Sequence, residues 1–301
     1  MLLEQEQLKV NRIDKWFQDC LCRLVLKTIV LEAGSGVGGT WYWNRYPGAS
    51  CYIESYVYLP LLEKTGFVPQ QKYTNASETL DYCNIIAEKY RLHERAMLQT
   101  LVTSTDWDED LGRWMVSTNR QDRIKARYVV HSNGPLNRPK LPAIRGINDF
   151  TGHTFHTSRW DYSYTGGDAQ GGLSGLADKR VAIIGTGATA VQCVPHVGAA
   201  AQQLYVFQRT PNWVLPKLNP TIPNWVKFLF AKIPMLYSII RMYLFTFFEA
   251  LGVVILKKGF LSRIFKKAMT KHYETELNTD KTLLKKLTPE FQLGCKRLLL
   301  S

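Results

Sequence analysis

The stretch "RVAIIGTGATAVQCVPHVGAAAQQLYVFQRTP" constrains the fold more than any other part of the chain. Val181 to Ile184 form a short apolar run of strand character. Gly185, Gly187 and Ala190 follow at the spacing G-x-G-x-x-A. A helical stretch and a second β-rich run then complete a strand–turn–helix–strand unit. In such a unit the first glycine permits the tight turn and the second lets backbone approach a diphosphate. The small third residue lets the helix pack on the strand. Thr186 lies inside the turn, and the helix start at Ala188 and Thr189 points amides and partial positive charge toward phosphate oxygens. A lone G-x-G-x-x-A is a weak signal. The strand before it, the helix after it and the second strand at the expected distance favour nucleotide binding over a glycine-rich structural turn.

The tip of the second strand selects the nucleotide. It carries Gln208, Arg209 and Thr210, with no acid. An arginine accommodates a ribose 2′-phosphate, whereas an acid would repel it. The unit therefore reads as NADP-binding, with Arg209 as the phosphate clamp; an ordinary surface arginine is the alternative reading.

A second stretch, "TIVLEAGSGVGGTW", ends an apolar run on Glu32. An acid at a strand tip grips an unphosphorylated ribose, as in NAD or FAD. Gly38, Gly39, Thr40 and Trp41 belong to a loop whose glycines permit close approach of a cofactor; a plain glycine-rich turn is the alternative. Such a strand should follow a G-x-G-x-x-G turn roughly 20 residues upstream. That region reads "KVNRIDKWFQDCLC" and holds no glycine. Two units of opposite preference imply FAD together with NADPH, in a flavoprotein that takes hydride from NADPH.

The alternation of short apolar runs with helical stretches is the signature of an α/β fold, here with two dinucleotide-binding, Rossmann-like domains and a helical insertion. The expected division is a partial FAD domain over 1–140, atypical over 1–26, and an NADP domain over 141–217. A helical insertion covers 218–290, and the start of a return to the FAD domain covers 291–301. "ETLDYCNIIAEKYRL" has helical periodicity, "LQTLVTSTDWDEDLGRWMVSTN" reads as a hairpin, and "RIKARYVVHSNGP" as a strand ending at a Gly-Pro break.

Of the 301 residues, 46% are hydrophobic, enough for a sizeable core. The net charge of +13 is dispersed except near "LKKGFLSRIFKKAMTK", which reads as a solvated helix face. No nucleic-acid partner is expected. The six cysteines form no C-x-x-C pair and no His/Cys cluster of zinc spacing, so no metal is expected. They read as reduced thiols, and the N-terminus is too polar for a secretory signal, so a cytoplasmic location is expected. Pro234 to Leu256 is long enough to span a bilayer, but Arg241 and Glu249 interrupt it. A buried or amphipathic helix pair is the expectation; membrane-surface association and a true span are the alternatives.

Between the two units lies "FTGHTFHTSRWDY", with F-x-G-x-x-x-H-x-x-x-W at Phe150, Gly152, His156 and Trp160. This pattern resembles the fingerprint of Baeyer–Villiger monooxygenases, flavoenzymes related to the flavin-containing monooxygenases. "GGTWYWNRYPGASCYIES", "SNGPLNRPKLP", "FQRTPNW" and "GCKRLLLS" resemble the same family, and the likeness runs from about Lys27 to Ser301. It implies FAD reduced by NADPH, activation of O2, and oxidation of a ketone to an ester or lactone in secondary metabolism. Asp161 after Trp160 favours this over the runner-up, an N- or S-oxidising flavin monooxygenase. The activated oxygen carries negative charge in a dry pocket and needs a fixed cation. The resemblance assigns that role to Arg297 and an NADP phosphate contact to Lys296. Arg209 and Thr210 fall at the other phosphate contacts, beside Gln208 of the same strand tip. The fingerprint coordinates motion and cofactor handling at the domain junction; from its chemistry alone, His156 could be a buried hydrogen-bonding histidine.

The sequence departs from the family in three places. Residues 1 to about 26 read as a replaced N-terminus. "YPGASCY" stands where the family has "YPGARCD": Ser50 replaces an arginine and Tyr52 replaces the acid expected to pair with Arg297. The chain ends at Ser301, whereas family members continue. A non-catalytic remnant that binds NADP only is therefore a further alternative.

Overall fold

A computed structural model describes residues 3–4, 28–134, 139–256, 260–277, 280–291 and 298–300. The chain divides into two compact units, Met1–Arg45 with Ser77–Trp160, and Tyr46–Ala76 with Asp161–Ser301.

The first unit contains a four-stranded sheet in the order β1 (Leu3–Glu4), β6 (Arg123–Ala126), β5 (Arg113–Thr118), β4 (Val102–Asp108). β4 and β5 form the expected antiparallel hairpin. Its acidic turn is closed by Asp108 Oδ1, which accepts from Leu111 N at 2.9 Å, and Gly112 takes a φ of 56° there. Trp107 and Trp114 are cross-strand partners and meet edge-on at 5.4 Å. The inward residues Val116 and Ile124 form a core with Leu31. Leu31 belongs to β2 (Val30–Leu31), which runs parallel to β3 (Ala96–Met97). The apolar run before Glu32 is thus a strand, although a two-residue one. The helix α4 (Ala76–Lys89) buries Tyr82, Ile86 and Ala87 along one side. β6 stops at Ala126, short of the expected strand, and Tyr128 beyond it is exposed.

In the second unit β7 (Arg180–Ile184) and β8 (Gln203–Phe207) pair in parallel, from Arg180 beside Gln203 to Ile184 beside Phe207. Their crossover is α6 (Ala188–Ala200), which buries Ala190, Cys193 and Val197 at steps of three and four. Pro195 lies inside α6, and the helix continues past it. β9 (Val214–Leu215) pairs in parallel with β10 (Leu299–Leu300). Four helices follow among the described residues from Asn224 onward: α7 (Asn224–Lys232), α8 (Met235–Leu256), α9 (Phe260–Glu276) and α10 (Lys281–Leu287). Trp213 packs with Met269 and Tyr273 of α9, and its Nε1 donates to Phe291 O at 3.1 Å.

Where a buried or amphipathic helix pair is expected over 234–256, the structure has a single helix, buried along one side and exposed along the other. The segment is one unbroken helix, and only 11% of Met235–Gly252 is buried. Its inner side is docked on α2 (Ser55–Tyr58) and α3 (Leu62–Thr65). Tyr237 OH donates to Phe67 O at 3.0 Å. Arg241 donates to Tyr56 O at 2.8 Å and Leu59 O at 3.1 Å, and pairs with Glu63 at 2.9 Å. Tyr237 stacks within 4.4 Å of Phe230, and burial pushes its hydroxyl up to about 12. The interrupting arginine therefore faces the protein, and the apolar residues opposite it face outward.

Candidate functional site

The turn between β7 and α6 leaves open space beside its two glycines. Gly185 has a φ of 109°, which an L side chain rarely adopts, and its amide donates to Phe207 O at 2.9 Å. A Cβ added at Gly185 or at Gly187 would meet nothing within 4 Å. The space beside both glycines is open. Gly187 is the N-cap of α6, and no side chain caps it. The first bond of the helix runs from Val191 N to Gly187 O, so the amides of Ala188, Thr189 and Ala190 are left by the helix for another acceptor. Asn212 Nδ2 donates to Thr186 O at 2.6 Å and fixes the middle of the turn. The residues present fit the diphosphate of a dinucleotide.

At the strand tip Arg209 is exposed, and no hydrogen bond or ion pair holds it among the described residues. Gln208 Nε2 lies 3.5 Å from Lys286 O of α10. A shallow cavity of about 520 Å³ is lined by Lys281, Thr282, Lys285 and Lys286 of that helix. The surroundings of Arg209 are therefore cationic, which suits a phosphate. Sequence reasoning missed these lysines, whose helix carries no motif, and gave no role to Asn212, although it lies within "FQRTPNW".

The start of α6 is braced by the loop that precedes Tyr52. Tyr52 OH donates to Ala188 O at 3.1 Å. Gln192 Nε2 donates to Ser50 O at 2.9 Å, and its Oε1 accepts from Tyr46 OH at 2.8 Å. Burial pushes the Tyr46 hydroxyl up, and the Cys193 thiol up to about 11. Gly48 has a φ of 75°, and a Cβ there would come within 2.6 Å of both Gln192 O and the His196 ring. Lys217 Nζ donates to Ser50 Oγ at 2.5 Å and lies 5.8 Å from the ring centres of Tyr52 and Tyr73. Burial holds the Lys217 ammonium below its usual range. At these two departures from the family pattern, a hydroxyl and a phenol carry the bonds.

In the first unit Glu32 is buried at the end of β2, and its Oε1 accepts from Gly34 N at 2.7 Å. Its backbone is held on both sides, Glu32 N to Met97 O at 3.1 Å and Thr100 N to Glu32 O at 2.8 Å. The following glycines wrap the Tyr42 ring. A Cβ at Gly34 would lie 2.8 Å from it and one at Gly36 3.2 Å. Ser35 N donates to Tyr42 OH at 3.1 Å, and the two hydroxyls are 2.6 Å apart. These bonds from Ser35 lower the phenol's pKa. Gly38 and Gly39 take φ values of 113° and 50°, and Gly39 is the N-cap of α1 (Thr40–Trp43). Trp41 N closes on Gly38 O at 3.0 Å, and Thr40 O accepts from Asn44 N at 2.9 Å. The acid suits the ribose end of a dinucleotide. The acid is preceded by no G-x-G-x-x-G turn in the sequence, since no glycine stands before Gly34.

The fingerprint residues all belong to the first unit. The Phe150 ring covers Gly152, where a Cβ would lie 2.5 Å from it. His156 caps a short 3-10 turn over Thr157–Arg159, its Nδ1 accepting from Ser158 N at 3.2 Å and lying 2.8 Å from Ser158 Oγ. Burial, with Arg159 beside it, holds the imidazole below its usual range. Trp160 meets Phe155 edge-on at 5.2 Å. Arg159, which sequence reasoning passed over, lies 3.9 Å over the Trp43 ring and ties the fingerprint to α1. Asp161 caps α5 (Tyr162–Thr165), accepting from Tyr164 N at 3.2 Å. Lys296 and Arg297 lie outside the described residues.

The model of the family described as flavin-binding monooxygenase-like matches residues 51–271. The chain belongs to that family. Neopentalenolactone D synthase of Streptomyces avermitilis is 55% identical over 197 residues, 65% of this chain and 33% of that protein. The Baeyer–Villiger monooxygenase ATR8 of Stachybotrys chlorohalonatus is 49% identical over 201 residues, 66% and 32% of the two. This flavin-binding monooxygenase-like chain thus matches about a third of the length of these curated relatives. Among solved structures, the polycyclic ketone monooxygenase from Thermothelomyces thermophila superposes with a TM-score of 0.88 at 29% identity, covering 99% of this chain and 55% of that one. OTEMO in complex with FAD and NADP superposes with a TM-score of 0.83 at 27% identity, covering 100% and 63%. The α/β fold of the chain is that of these monooxygenases, with two Rossmann-type domains.

Proposed function

We propose that the chain serves a FAD- and NADPH-dependent monooxygenase of Baeyer–Villiger type, which converts a ketone and O2 to an ester or lactone in secondary metabolism. NADPH is placed on β7, the turn Gly185–Thr186–Gly187 and the amides of Ala188, Thr189 and Ala190. Gln208, Arg209 and Thr210 take its 2′-phosphate, with Lys296 as a further contact. NADPH supplies a hydride when bound; the residues of this chain hold and orient it. Glu32 and the loop Gly38–Trp41 form the ribose side of a FAD site. Arg297 is the cation for activated oxygen, without the acid that Tyr52 replaces. Phe150, Gly152, His156 and Trp160 couple cofactor handling to motion. The domain limits proposed are 1–140, 141–217, 218–290 and 291–301, and the location proposed is cytoplasmic. The relatives' names and the FAD- and NADP-bound neighbour support this reading over an N- or S-oxidising enzyme.

The observation that carries the reading is the open turn, with no Cβ contact at Gly185 or Gly187 and an uncapped helix start. Titration of the purified chain measures it. NADPH is expected to bind more tightly than NADH, by about tenfold or more for a charge-assisted phosphate contact. Arg209→Ala should remove that preference. Equal binding of the two nucleotides before mutation overturns the NADP assignment. Flavin content is the second readout. The absent glycine turn predicts weak or no retention of FAD, and a stoichiometric yellow flavin spectrum would show that the chain holds it by other residues.

A further inference from the structure

Helix α8 has two apolar faces and uses one of them. Tyr237 and Leu244 are buried on the side where Arg241 bonds to Tyr56 O of α2. On the opposite side Met235, Ile239, Met242 and Tyr243 recur at helical spacing and are 68%, 52%, 67% and 66% exposed. Phe245 and Phe247 flank them, also exposed, and α7 adds exposed Trp225 and Phe228. Exposed apolar side chains this dense on two successive helices mark an interaction face rather than scattered surface residues. The charge carried by the neighbouring helices α7 and α9 has one dominant sign. Lys227 and Lys232 lie on α7, and α9, which packs on α8, carries exposed Arg263, Lys266, Lys267 and Lys271. Acids are fewer: Glu249 on α8, and Glu274 and Glu276 toward the end of α9.

We propose that α7 and α8 lie in the surface of a bilayer carrying anionic lipid headgroups, with the apolar face among the acyl chains and the basic rim on the headgroups. The pairing of an apolar, aromatic face with lysine and arginine around it is what an interfacial helix requires. Trp225 and Tyr243 suit the boundary between hydrocarbon and water. A span is ruled out by the inner side. Arg241 is bonded to Glu63, Tyr56 O and Leu59 O at mid-helix, so α8 stays along the second unit and offers lipid one face. A second copy of the chain fits less well. At a net charge of +13, a symmetric contact through this face brings the two basic rims together.

Flotation of the full chain with phosphatidylcholine vesicles, with and without phosphatidylserine, tests the proposal. The chain should float with the anionic vesicles and far less with the neutral ones. Ile239→Glu with Met242→Glu should lower partitioning by about tenfold or more. Lys266→Glu with Lys267→Glu should weaken it by a comparable factor and flatten its salt dependence. Circular dichroism checks that the variants keep their helix content. A readout free of destabilising changes is quenching of tryptophan fluorescence by brominated lipid, part of which should vanish in Trp225→Phe. The proposal fails if the chain does not float with anionic vesicles at low salt, or if the face variants float as well as the parent. It also fails if sedimentation shows a dimer that Met242→Glu dissolves while vesicles bind nothing.

Discussion

The two glycine-rich loops of this chain look alike in sequence and differ in what stands beside their glycines. In "GSGVGG" the glycines are filled from within: Tyr42 occupies the space beside Gly34 and Gly36, and Leu80 reaches within 2.6 Å of a Cβ at Gly38. In "GTGATA" the space beside Gly185 and Gly187 is empty. A filled glycine serves the packing of its own unit. An open one, beside helix amides that no side chain caps, keeps room for something that arrives from solution. We infer that the glycines of the first loop also serve packing, beside the FAD contact proposed for Gly38–Trp41, and that those of the second leave room for NADPH.

Substituting one glycine in each loop tests that division most directly. Gly187→Ala should raise the NADPH dissociation constant by about tenfold to a hundredfold, the cost of one crowded contact. Its effect on unfolding free energy should stay within about 1 kcal/mol. A stability loss with unchanged NADPH affinity would break the contrast. Gly38→Ala should behave in the reverse way. A side chain at a φ of 113° against Leu80 should lower unfolding free energy by about 1–2 kcal/mol, read from urea titration, with NADPH binding unchanged. The smallest effect concerns pH. The folded imidazole of His156 lies below its usual range, so the native state holds this proton more weakly than the unfolded chain. Its contribution to stability is present above about pH 6.5 and is lost as pH falls through the lower folded value. Urea midpoints measured between neutral and mildly acidic pH should fall less in His156→Gln than in the parent. An identical slope would detach His156 from the stability of the first unit.

Local features were legible in the sequence, and long-range ones were not. Val181 to Ile184, the helix over Ala188–Ala200 and the strand at Gln203–Phe207 follow from short-range periodicity and turn chemistry. The hairpin and α4 follow for the same reason. The bonds of Asn212 to Thr186, Gln192 to Ser50 and Tyr52 to Ala188 join residues distant in the chain, and no spacing rule encodes them. Arg159 over Trp43 is of the same kind. Which of the two expectations for α8 holds, buried or amphipathic, was not legible, because an apolar run of 22 residues states how much nonpolar surface exists, not how much of it the chain itself covers. Whether a glycine is filled or open depends likewise on a neighbour such as Tyr42 or Leu80.

The β7–β8 ribbon has a consequence for the handling of the protein. Ile184, Tyr205, Val206 and Phe207 are all exposed on it, in a kind of sheet that is ordinarily covered on both faces. At low ionic strength mutual repulsion between highly cationic molecules keeps these ribbons apart. Added salt shortens that repulsion and leaves the strands as seeds for clumping. Concentrated stocks will therefore stay clear longest in dilute buffer, and a salting step will cloud them first.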